Sequence, residues 1–174
     1  MTTVPDDVVA RVRSYIQHQG TKSSGALADL VRTSQQRYLD VVGAISDEVA
    51  AKKPADDEWS IRELTRHVIT TETYVTGLIW HTARAQEPPP RPGSIGMTVD
   101  DDARPFAGWV AALQEANAKM IETILTLPET PDLAIKPAHP FFGPLNCHEW
   151  AAFQRVHDED HVQHAGKILV AVGS

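Results

Sequence analysis

Residues 146–172 read NCHEWAAFQRVHDEDHVQHAGKILVAV, and their pattern decides the fold. Trp150, Phe153, His157, His161, His164 and Ile168 are separated by 3, 4, 4, 3 and 4 residues. That spacing puts all six on one face of an α-helix. Asn146 and Glu149, as N-x-x-E, imitate the capping box that opens a helix. Three histidines stand where Leu or Ile ordinarily sits. Burying an imidazole without partners costs roughly 1–3 kcal/mol per polar group, so something must satisfy these rings.

The same 3–4 spacing recurs upstream. Leu27, Leu30, Val31, Tyr38, Val41, Val42 and Ile45 predict a helix from about Ser24 to Ala51, ended by Pro54. Ser60 and Glu63 form S-x-x-E, in which each side chain meets the other residue's free N–H. Ile61, Leu64, Val68, Val75, Leu78 and Ile79 carry that helix to about Gln86. Pro105 opens another, running to about Leu127, since a helix start does not need the N–H that proline lacks. A shorter amphipathic stretch, Val4–His18, precedes them all and is broken by Gly20 and Gly25. No segment alternates with period two, so no strand is expected. The result is an all-α fold: a four-helix bundle over residues 23–174, with a short N-terminal lead-in helix in residues 1–22. Two long connections remain. Residues 87–104 hold Pro88, Pro89, Pro90, Pro92, Gly93 and the acidic Asp100–Asp102, and residues 128–147 hold five prolines. Loops of this length often border functional sites.

Composition narrows the function. A chain of 174 residues buries a core without a disulfide or structural metal. Cys147 is the only cysteine, which fits a reducing compartment. The 16 Lys and Arg against 23 Asp and Glu give a net charge of −7, which opposes nucleic acid as a partner. No apolar run approaches the roughly 18 residues of a membrane span, so no membrane partner is expected. Asp6 and Asp7 lie where a signal peptide would be basic. A soluble cytoplasmic protein acting on a small molecule is the expectation.

His157 and His161 are i and i+4, so their ring nitrogens can converge on one cation. A third ligand must come from elsewhere, and His67, beside the stripe of the Ser60 helix, is the best candidate. Three imidazoles plus a free position make an open, catalytic type of metal site. The pair alone is a weak motif, because a seam histidine is more often hydrogen-bonded in a core. Asp158, Glu159 and Asp160 read as a solvated face, with Asp160 also a candidate acceptor for a ligand imidazole. Glu63 and Tyr74 are candidates for the pocket, although the capping box already occupies Glu63. His18 and His148 read as surface, His81 as a helix C-terminal contact, and His139 as a loop residue, with the pocket rim within its reach as the alternative. Trp59, Trp80, Trp109 and Trp150 read as core or pocket walls, and Cys147 as a small buried apolar residue.

Two stretches resemble the DinB-like (DinB/YfiT) superfamily of metal-binding four-helix bundles. Glu58 to His67 looks like its W-S-x-x-E-x-x-x-H segment. His139-Pro140-Phe141-Phe142-Gly143-Pro144-Leu145, Glu149-Trp150 and His157-x-x-x-His161 look like its HPxxGxL–EW–HxxxH segment. The resemblance implies a triad of His67, His157 and His161 holding a divalent metal, zinc or nickel, and pairing of chains as homodimers. Many members carry Gln where this chain has His164, which implies an outer hydrogen-bonding role for His164 rather than a fourth ligand. It further implies transfer or isomerisation with a low-molecular-weight thiol. The alternatives are a metal-dependent hydrolase and a non-catalytic small-molecule-binding bundle.

Overall fold

The computed structural model describes residues 5–93 and 104–173. Val4 and the Asp100–Asp102 run lie outside the described residues. The lead-in helix is α1, Asp6–Gln19. The bundle helices are α2, Ser24–Val42; α4, Ile61–Thr82; α5, Phe106–Leu125; and α6, Cys147–Ala171. A one-and-a-half-turn helix, α3, Asp47–Ala51, lies between α2 and α4. Both capping boxes form: Ser60 with Glu63 opens α4, and Asn146 with Glu149 opens α6. No helix of the described residues is long and apolar enough to cross a membrane.

The helix expected to run from Ser24 to Ala51 is broken. Gly43 closes α2, its N–H donating to the Leu39 carbonyl, and Ser46 caps α3 by accepting from the Val49 N–H at 3.3 Å. The apolar stripe continues across the break through Ile45, which is why periodicity alone ran the two together. α3 then serves α5: the Asp47 carboxylate accepts from the Phe106 N–H at 2.5 Å and from Arg62 at 3.0 Å. Pro105 offers α5 no side-chain cap, so Asp47 supplies one from a distance. α4 stops at Thr82, before Gln86, because Ala85 turns to a positive φ of 56°. A short antiparallel pair, absent from the sequence expectation, joins Ala138–His139 (β1) to Gly143–Pro144 (β2). Gly143, at φ 72°, takes the left-handed conformation its turn needs.

α6 packs between α2 and α4, and α5 closes the ring between α4 and α2, while α1 lies against α6. Two apolar clusters fill the bundle. One is built around Leu27, Val31, Val75, Leu78, Met120 and Trp150. The other is built around Tyr38, Leu64, Val68, Trp109, Leu113 and Ile168. A buried polar layer separates them. Glu72 accepts from Gln35 Nε2 at 2.5 Å and, with the Asn117 amide oriented to donate, from Asn117 at 2.7 Å. Asp158 accepts from Gln154 Nε2 at 2.7 Å and lies 2.7 Å from Ser34 Oγ. Asp158 is only 2% exposed, so it is not part of a solvated face. The most buried face of α6 runs Cys147, Ala151, Gln154, Asp158, His161, Ala165 and Ile168, and Asp158 falls on it. Burial pushes the Asp158 carboxyl up to about 7 against its hydrogen bonds, and burial raises Glu72 as well.

Candidate metal centre

α4 carries His67 one turn beyond its capping box, and α6 carries His157 and His161 one turn apart. The facing surfaces of the two helices bring all three imidazoles together at the level of the polar layer. His157 Nε2 lies 3.3 Å from His67 Nε2 and 3.1 Å from His161 Nε2. One nitrogen from each ring falls within a set spanning 4.8 Å. Burial, then the neighbouring imidazoles, hold His157 well below its usual pKa and His161 at about 3. Both rings are therefore neutral at physiological pH, the state metal ligation requires. The Nδ1 atoms of His157 and His161 are buried and have no hydrogen-bond partner among the described residues. Hydrogen bonding among the imidazoles thus cannot satisfy both rings. Three convergent lone pairs of this type suit a borderline divalent cation such as zinc or nickel.

The other expected residues divide. His164 does not join the converging nitrogens. It stacks on Trp59, with ring centroids 5.9 Å apart, and Trp59 in turn contacts His67 at 4.8 Å. Trp59 therefore braces the outer side of the triad. Glu63 serves the cap and pairs with Lys53 at 2.8 Å. Its partial burial raises its pKa, but these bonds and the Lys53 charge prevail and hold it low. Tyr74 and Asp160 both line the cavity beside the triad. Asp160 accepts no hydrogen bond from the Nδ1 of His157 or of His161.

That cavity, of about 430 Å³, is bordered by His67 and His157 and walled by Phe142, Trp150 and Phe153. His139, expected in a loop role, stands in its wall: its ring centroid lies 4.5 Å from that of Phe153 and 4.7 Å from that of Phe142. Sequence spacing could not place it, because the β1–β2 turn brings it onto α6. Arg91, not singled out by sequence, lines the same cavity. His148 is not solvent-facing: its Nδ1 is 3.3 Å from the Gly20 carbonyl at the end of α1. Trp80 is 39% exposed, neither core nor pocket, and packs under the Arg84 guanidinium. Cys147 is fully buried, and burial pushes its thiol up to about 11. Native protein should therefore resist a thiol-specific chromogenic reagent at neutral pH, and denatured protein should react fully.

A bundle whose facing helices gather three imidazoles beside an aromatic pocket is, as a class, a candidate mononuclear metal protein. The family model of the DinB superfamily matches residues 30–165, and the chain belongs to that superfamily. Among solved structures, the chain resembles YfiT from Bacillus subtilis, described as a probable metal-dependent hydrolase with an unusual four-helix bundle topology. The two are 15% identical with a TM-score of 0.67, over 86% of this chain and 87% of that one. It also resembles TT2238, a four-helix bundle protein, at 15% identity and a TM-score of 0.61, over 83% of this chain and 99% of that one. No curated protein sequence matches the chain.

Proposed function

We propose that the protein is a metal-dependent enzyme acting on a small molecule. His67, His157 and His161 hold one divalent ion, zinc or nickel, and the adjoining cavity binds the substrate. The convergence of three Nε2 atoms beside that cavity carries this reading. When bound, such an ion supplies Lewis acidity that makes a thiol or water nucleophilic near neutral pH. The chain's own residues do the rest. Depressed imidazole pKa values keep His157 and His161 unprotonated. Phe142, Trp150 and Phe153 shield the site from water, and Trp59 fixes the orientation of His67.

We favour transfer of, or isomerisation with, a low-molecular-weight thiol. Attack by water needs a base to take a proton, and Glu63 is committed to its cap and to Lys53. A thiol would lose its proton to solvent on binding the ion, ahead of the chemical step, so its attack would need no positioned base. Cys147 is buried away from this role, so the thiol is a second substrate. Hydrolysis is the second reading, favoured by the description of YfiT. Zinc-loaded protein should be assayed on a chromogenic electrophile with and without bacterial thiols, and on activated esters. Thiol-dependent product supports transfer, and ester cleavage without thiol supports hydrolysis. Failure of both with metal bound would make the bundle a binding protein.

A further inference from the structure

We propose that Arg91 and His139 form an anion-recognition pair in the cavity, selecting small molecules that carry a carboxylate on an apolar, ring-sized body. This deepens the metal-enzyme reading and rests on the same cavity being the substrate site.

Arg91 lies on the connection after α4 and lines the cavity. Its positive charge acts on two other lining residues. Burial raises the Tyr74 phenol and Arg91 pulls it back, while burial lowers His139 to about 4 and Arg91 adds to that effect. Arg91 shares the cavity lining with both rings, and no carboxylate of the described residues pairs with it. Asp160 is the one acidic residue among the described lining residues, and it sits with Val156 and His157 on α6. A guanidinium with no ion-pair partner among the described residues, set beside an apolar wall, suits bidentate reception of a carboxylate.

His139 supplies a second donor of fixed identity. Its Nδ1 accepts from the Phe141 and Phe142 N–H groups, each at 3.2 Å. A neutral ring bonded in this way carries its proton on Nε2. Stacking on Phe142, with an interplanar angle of 19°, and contact with Phe153 hold the ring in place. The two donors bring one positive charge and no acceptor, so they favour an anion over a neutral amide or an amine. The neighbouring Trp150 and Phe153 offer flat apolar surface for the rest of the molecule.

The probes are phenylacetate and its neutral counterpart phenylacetamide, titrated against intrinsic tryptophan fluorescence in metal-free and zinc-loaded protein. Metal-free wild type should bind phenylacetate about tenfold tighter than the amide, the range of one charge-assisted hydrogen-bonded pair. Arg91→Met should remove that preference, and Arg91→Lys should restore part of it. His139→Phe, which keeps the ring and deletes the donor, should weaken phenylacetate more than the amide. Equal weakening of both probes would remove His139 from the pair. The proposal is overturned by a metal-free protein with no preference, or by a preference that survives Arg91→Met. It is also overturned by a preference seen only with zinc, which would make the metal the receptor and leave the metal site standing. Conversely, an Arg91-dependent preference in a protein that fails to bind zinc would sink the metal reading and leave the anion site intact.

Discussion

With zinc supplied, His161→Ala is expected to lose its bound metal and the thermal stabilisation that metal brings. An ion at about a hundred times its dissociation constant stabilises the native state by about 2.7 kcal/mol, which in a domain of this size raises the melting temperature by roughly 5–10 °C. Deleting one of three ligands removes most of that affinity, so the variant should show little shift. Its metal-free stability should change much less. The His161 ring is 8% exposed, and its Nδ1 has no partner. Truncation therefore removes an unsatisfied polar atom along with the packing contacts, and the two effects oppose each other. Paired melts with zinc and with chelator, alongside elemental analysis, separate the roles. A core histidine predicts the same loss in both conditions, and that outcome would overturn the metal assignment.

What could be read from sequence follows the range of the interactions involved. The two capping boxes, Ser60–Glu63 and Asn146–Glu149, span four residues each and were legible from the letters. So was the i, i+4 relation of His157 and His161. His67 was offered as the third ligand by its place beside the α4 stripe and strengthened by the family resemblance, but nothing local says that α4 faces α6 at that level. The break at Gly43 was hidden by a stripe that continues past it. Asp158 was misread because D-E-D at 158–160 has the composition of a solvated face, and its partner Ser34 lies 124 positions away. The polar layer takes one or two residues from each bundle helix, so no single helix pattern reveals it. His139 reaches the cavity through a hairpin turn that periodicity does not describe.

The level of the polar layer gives it meaning. Leu64 and Val68 on one side and Val75 and Leu78 on the other belong to different apolar clusters, and Glu72 sits between them on α4. On α6, Asp158 lies between the two ligand candidates. The layer therefore ties both helices to α2 near the triad, α4 through Glu72 and Gln35 and α6 through Asp158 and Ser34: sliding either past α2 would break a hydrogen bond as well as packing. Two buried carboxyls inside an apolar bundle would repel each other if both were ionised, and Asp158 contributes to raising Glu72.

Asp158→Asn is therefore expected to stabilise the metal-free protein at about pH 8, to do so by less than half as much at about pH 5, and to leave it nearly unchanged below about pH 4. Ser34 Oγ has one proton and lies 2.9 Å from the Val31 carbonyl and 2.7 Å from Asp158 Oδ2. If that proton serves Val31, Asp158 must carry its own proton to bond Ser34. An Asn reproduces that arrangement permanently, donating to Ser34 and accepting from Gln154. The folded pKa of about 7 lies above the ordinary 3.8, so the carboxyl's contribution is full below about pH 4 and is lost as pH rises through about 7. That shift corresponds to at most about 4 kcal/mol. His161 acts in the opposite sense: with a folded pKa of about 3 against 6.5, its contribution is present above 6.5 and lost as pH falls toward 3. In the wild type the two trends oppose each other and flatten the profile. In the variant the Asp158 trend is gone and its charge no longer raises Glu72, so stability should climb more steeply than in the wild type from about pH 4 to about pH 7. Urea denaturation in the presence of chelator across that range measures both curves. Equal destabilisation of Asp158→Asn at both ends would mean that the carboxylate is ionised inside the fold.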